Sequence, residues 1–119
     1  MRPVSAVVAA ALDVVLVVVF ATVGRRSHAQ GLTLGGVAQT AWPFLAGTVA
    51  GWLVALLTLD SSPRSLTFGA VVVASTVVVG MLLRVFVTGA GTAASFVVVA
   101  TTVLAVFLLG WRLVARLAA

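Results

Sequence analysis

Four long, predominantly apolar runs, Val4 to Val23, Ala41 to Leu59, Leu66 to Val87 and Ala94 to Leu113, dominate the chain. Each approaches the ~20 residues that a helix rising ~1.5 Å per residue needs to cross ~30 Å of hydrocarbon. Much of this material is Val and Thr, which favours strands in water. Inside lipid, however, every backbone N–H and C=O must be bonded within its own segment, and over runs of this length that demand overrides strand propensity. The strict in-out alternation of a membrane barrel is missing. The pattern predicts an all-α membrane protein, a four-transmembrane-helix bundle forming one integral membrane domain over residues 1–119.

The polar positions fall where helix ends are wanted. Gly24 can close the first helix, and Thr40 can cap the second with Pro43 in its first turn, where a missing N–H costs little. Asp60-Ser61-Ser62-Pro63 breaks the chain between spans two and three, and Ser65 offers the next cap. Gly89-Ala90-Gly91-Thr92 turns it between spans three and four. Two such short connections make spans two, three and four sequential antiparallel neighbours. Only the stretch 24–40 is long enough to be more than a turn, so a functional loop is expected there. The first span is read as a mature helix, because it exceeds a signal peptide's apolar core, contains Asp13 and lacks a small-x-small cleavage end.

Composition sharpens the class and removes several chemistries. Of 119 residues 63% are hydrophobic and 8% charged, with mean hydropathy +1.33, whereas a soluble domain is roughly a quarter charged. There is no Cys, which excludes disulfides and thiolate sites. Glu, Lys and Tyr are also absent, leaving seven Arg, Asp13, Asp60 and His28 as the ionisable side chains. That inventory is too thin for acid-base catalysis or a metal centre, so no enzyme, metal or cofactor is expected. The net charge of +5 does not indicate nucleic acid, because the Arg lie dispersed at the ends of apolar runs rather than along one basic stripe. With the N-terminus inside, Arg2, Arg64, Arg112 and Arg116 face the cytoplasm and Arg25, Arg26 and Arg84 the other side of the plasma membrane. Four against three leans to N-in, C-in and also permits insertion both ways, from which an antiparallel dimer would follow.

Asp13 is the most informative residue. It falls at the middle of the first span, where an ionised carboxylate costs about 2.5–3.5 kcal/mol on insertion scales. Such an acid is a proton carrier, a substrate counter-ion or one end of a structural pair. Ala6, Ala9 and Ala10 lie on roughly its helical face and mark that face as packed. Gly47, Gly51 and Ala55, spaced by four on the second span, suit close helix contact within a protomer or between two. Trp52 lies near mid-membrane, so its indole N–H needs a buried acceptor, for which Asp13, Thr48 or a backbone carbonyl is available. Trp42 and Trp111 sit near span ends as interfacial belt residues. Arg84 and Arg112 lie toward span ends, where the side chain can snorkel; Arg84 can instead turn inward to Asp13. Ser75, Thr76, Thr101 and Thr102 either line a polar path or bond back to their own helices. Arg25, Arg26 and His28 form a candidate anion or headgroup site, against the plainer reading of a routine juxtamembrane Arg pair. Gly51-Trp52-Leu53-Val54-Ala55 echoes Gly110-Trp111-Arg112-Leu113-Val114-Ala115. The two lie at different depths of their expected spans, which makes the echo a coincidence.

Asp13, the run Gly24-Arg25-Arg26-Ser27-His28, Ala41-Trp42-Pro43-Phe44, and Ser95-Phe96 with Gly110-Trp111-Arg112 together carry a resemblance. The chain resembles, over essentially its whole length, the bacterial and archaeal membrane-protein family labelled domain of unknown function 3054. The resemblance implies a small multi-span membrane protein, assigns no activity, and raises the weight of Arg25 to His28 and of Trp42-Pro43 as a site.

The residues and the resemblance lead to two expectations. The first is a transporter-like or permeation protein working as a homodimer, with Asp13 as its intramembrane ionisable group, since four short helices enclose too little volume for a pathway of their own. In size and early intramembrane acid it is similar to the small multidrug resistance exporters, from which it departs by having Asp rather than Glu in the first span and by its Arg25 to His28 and Trp42-Pro43 elements. The second is a non-catalytic accessory subunit packed into a larger membrane complex through its small-residue faces. In both, the lipid bilayer is the first partner.

Overall fold

The computed structural model describes residues 5–27, 33–89 and 93–118, without the side chains of residues 25–27. The described residues form four helices, α1 (Ala6–Ser27), α2 (Leu34–Thr58), α3 (Leu66–Phe86) and α4 (Ala94–Ala118), and all four are long and apolar enough to span a bilayer. The described residues contain no strand. The protein is thus a multi-pass, all-α membrane protein with extents of 42 × 26 × 24 Å.

The helices run longer than the apolar runs, and the reasons are local. Gly24 does not end α1, because one Gly costs only about 1 kcal/mol against Ala and cannot terminate a helix already several turns long. The N-cap of α2 is Thr33 rather than Thr40, its hydroxyl accepting the Gly36 N–H at 3.0 Å. Pro43 therefore lies inside α2, not in its first turn. Most of the expected 24–40 loop is helix or its Thr33 cap, and residues 28–32, His28 among them, lie outside the described residues. Ser65 caps α3 as its position suggests, accepting the Phe68 N–H at 3.1 Å. At the other end of α3, the Thr88 N–H reaches back to the Leu83 carbonyl at 3.2 Å, and Gly89 turns the chain with φ of +72°.

Neighbouring helices are antiparallel and close a ring in the order α1, α2, α3, α4, with α1 against α4 and no close backbone approach along either diagonal. The α2–α3 seam is the most extensive and α1–α4 the thinnest. Gly47 and Gly51 create the former: a methyl carbon built on either would lie 2.8 Å from Ser75 or Thr76. These glycines therefore let two backbones approach inside one protomer. Two hydrogen bonds tie the same seam, Thr48 to Thr76 at 2.9 Å and the Ser75 hydroxyl to the Gly47 carbonyl at 2.8 Å. Ala55, one turn further along α2, is fully buried.

The interior is assembled from one stripe per helix at helical spacing. Helix α1 contributes Ala9, Asp13, Val17, Phe20 and Ala21; α4 contributes Ala100, Leu104, Leu108 and Arg112 at intervals of four. Ala10 is half-buried and Ala6 exposed, so the small-residue face of α1 is packed only from Ala9 onward. Toward the end of the bundle where α1 finishes, Phe20, Phe44 and Phe96 fill the centre edge to face, with centroids 5.2 and 6.5 Å apart. Both members of the one ion pair among the described residues belong to these buried stripes.

Candidate functional site: a buried carboxylate clasp

Up-down topology gathers the start of α1, the ends of α2 and α4 and the 59–65 connection at one end of the bundle. Asp13 lies roughly 11 Å along α1 from its first residue, at ~1.5 Å per residue. Because α1 extends to Ser27, the acid sits in the first half of the helix rather than at its middle. It is fully buried there.

Arg112 meets it as a two-pronged fork. Nη1 donates to Oδ1 at 2.9 Å and Nη2 to Oδ2 at 2.8 Å, the geometry that gives guanidinium–carboxylate pairs their strength and direction. Two indoles complete the shell: Trp111 Nε1 donates to Oδ1 at 2.9 Å and Trp52 Nε1 to Oδ2 at 2.8 Å. Four N–H donors thus converge on a carboxylate that offers about four lone-pair sites. Asp13 is saturated.

The donors are themselves held. Arg112 Nε donates to the Pro63 carbonyl at 2.9 Å, and Nη1 also reaches the Leu108 carbonyl at 2.9 Å. Its guanidinium carbon stands 4.6 Å from the Trp111 ring and 6.0 Å from the Phe68 ring. Trp52 packs edge to face on Phe68, with centroids 4.8 Å apart. Gly69 leaves the room in which the Arg112 side chain crosses α3 toward Pro63. Among the described residues, no buried side-chain nitrogen or oxygen lacks a hydrogen-bond partner.

Several expectations change at this point. The partner of Asp13 is Arg112, not Arg84. Arg84 lies two residues before the end of α3, at the opposite end of the bundle and on the helix diagonal to α1. The axial offset between the two is roughly 16 Å at ~1.5 Å per residue. Arg84 instead stands over the Phe96 ring at 4.7 Å. Arg112 does not snorkel, because α4 continues to Ala118 and places it inside the helix. Trp111 is not a belt residue, since its indole donates to Asp13. Trp42 remains partly exposed on α2. Thr101 and Thr102 bond back to Val97 and Val98; Thr76 bonds back to the Val72 carbonyl and also meets Thr48 across the α2–α3 seam, which Ser75 joins through the Gly47 carbonyl. Of the headgroup candidates, the side chains of Arg25 and Arg26 and all of His28 lie outside the described residues.

The echo between Gly51-Trp52 and Gly110-Trp111 carried the signal for this site. Trp52 stands six residues before the end of α2 and Trp111 seven before the end of α4. Helices α2 and α4 are parallel, so the two indoles sit at one depth and reach opposite oxygens of one carboxylate.

A family model of proteins of unknown function, DUF3054, matches residues 10–115. The chain belongs to the DUF3054 family. The matched region of this DUF3054 protein contains all four clasp residues, Asp13, Trp52, Trp111 and Arg112, together with Gly69 and Pro63. No curated protein and no solved structure matches the chain.

Proposed function

We propose that this DUF3054 protein is a non-catalytic integral membrane subunit that works by packing into a larger assembly in the plasma membrane, its buried charges serving architecture. The observation that carries this reading is the saturation of Asp13. A carboxylate with four donors and no exposure offers no lone pair to a proton, coupling ion or substrate, and the same acid is the one intramembrane carboxylate of the chain. Without it, a proton-coupled carrier has no carrier group. The hydroxyls near the midplane point the same way, each being engaged in a helix or helix-pair bond. Affinity purification in mild detergent tests the reading. A stoichiometric second membrane protein is expected to accompany the tagged chain, and a self-contained oligomer without one would overturn it.

A homodimeric permeation protein is the second reading, favoured by the charge balance. Once Arg112 is committed to Asp13, Arg2, Arg64 and Arg116 stand against Arg25, Arg26 and Arg84, three on each side. An even balance supports insertion in both orientations. Two single-Cys variants in this Cys-free chain, one at each membrane face, distinguish them: labelling of both sites from one side supports the dimer, and labelling of one supports a single orientation.

A further inference from the structure

Asp13 is the only member of the clasp that α1 supplies. Trp52, Trp111 and Arg112 belong to α2 and α4; Arg112 and Trp52 have anchoring contacts that do not involve Asp13, and Trp111 lies against the Arg112 guanidinium. Arg112 is anchored by the Pro63 and Leu108 carbonyls and by the Trp111 and Phe68 rings, in the space that Gly69 leaves. Trp52 rests on Phe68. The α2–α3 pair beneath them has its own glycine seam and its own hydroxyl bonds. Among the described side chains, by contrast, the polar bonds from α1 to other helices all end on Asp13.

We infer that α2, α3 and α4 form a preorganised receptor for a small monocarboxylate, and that Asp13 is its resident, tethered ligand. The recognition chemistry is complete without α1: a two-pronged guanidinium fork and one indole N–H for each oxygen. The site is fully buried at both Asp13 and Arg112, and the fixed donors leave little ordering entropy to be lost on binding. A free carboxylate competes with one whose effective concentration is set by its tether. The receptor is therefore silent to outside ligands while α1 is docked, and is exposed when α1 leaves both α2, which it meets through Phe20 and Phe44, and α4, against which its seam is the thinnest in the bundle. This inference stands apart from the subunit reading, because it concerns what the clasp binds and not what the outer surface packs against.

The test removes the resident carboxylate and offers it back. In Asp13→Ala the missing atoms correspond to formate. The variant is prepared in detergent with Trp42→Phe as background, so that Trp52 and Trp111 report on the receptor. Sodium formate is titrated against sodium chloride at matched ionic strength. The expected result is a saturable rise in Tm and a saturable change in Trp emission with formate alone. A helical, monodisperse variant whose Tm and emission respond to formate no more than to chloride would overturn the inference. If Asp13→Ala does not fold in chloride, the readout becomes the yield of helical, monodisperse protein purified in formate: recovery supports the receptor, and failure in both salts shows that the donors depend on Asp13 and sinks it. Wild-type protein should respond only at far higher formate concentration than the variant.

Discussion

Gly69 on α3 and Arg112 on α4 share one space: a methyl carbon built on Gly69 would lie 2.7 Å from Arg112 Cδ and 3.0 Å from its Nε. The absence of that methyl is what allows the Arg side chain to run across α3 and put its Nε on the Pro63 carbonyl. Gly69→Ala should therefore displace Arg112 and lower stability by about 1–3 kcal/mol, the range for overpacking. Thermal unfolding in detergent, followed by circular dichroism, measures this. Ala at the uncrowded Gly110, where nothing lies within 4 Å of the added carbon, is the matched control and should be neutral or stabilising.

Removing either end of the ion pair leaves the other buried charge without its partner. Asp13→Ala and Arg112→Ala should each cost about 3–5 kcal/mol. Replacing both, as Asp13→Leu with Arg112→Met, should cost much less than the sum of the two single changes, because no charge is then stranded. A double-mutant cycle checks it; additive losses would mean that the pair does not act as a unit.

Each indole donates one hydrogen bond to an ionised acceptor, so Trp52→Phe and Trp111→Phe should each lose about 1.5–3 kcal/mol while keeping the ring in place. Trp42→Phe, at a partly exposed position, should change stability little. Comparison of the three Tm values decides whether Trp111 is a clasp residue or a belt residue.

The α2–α3 seam depends more on shape than on polarity. Thr48→Val removes one interhelical hydroxyl bond and should cost about 0.6 kcal/mol, the mean for such bonds in membrane proteins. Gly51→Leu must push Ser75 and Val72 away and should cost several times more, about 1–3 kcal/mol. Equal losses from both would show that hydrogen bonding sets the seam.

Arg84 lies at the far end of the bundle from the clasp and contacts Phe96. In the Trp42→Phe background, Arg84→Met should leave the emission of Trp52 and Trp111 unchanged, whereas Arg112→Met should shift it. A shift with Arg84→Met would restore the pairing with Asp13 that the structure replaces.

The four spans, the all-α class, the break at 60–65 and the turn begun at Gly89 follow from sequence alone, since a bilayer leaves the backbone almost no alternative to helix over twenty apolar residues. That Asp13 needs a partner, and that Trp52 needs an acceptor, follow from the cost of leaving such groups unpaired in hydrocarbon. Which partner each takes is a different kind of fact. Arg84 and Arg112 look alike along the chain, both being single Arg toward the end of an apolar run. Only the order of helices around the ring puts α4, and not α3, beside α1, and only the full length of α4 brings Trp111 and Arg112 to the depth of Asp13. Hydropathy is blind to both, because lipid rewards every apolar face equally and leaves neighbour choice to shape and to the few hydrogen bonds that tertiary packing can complete.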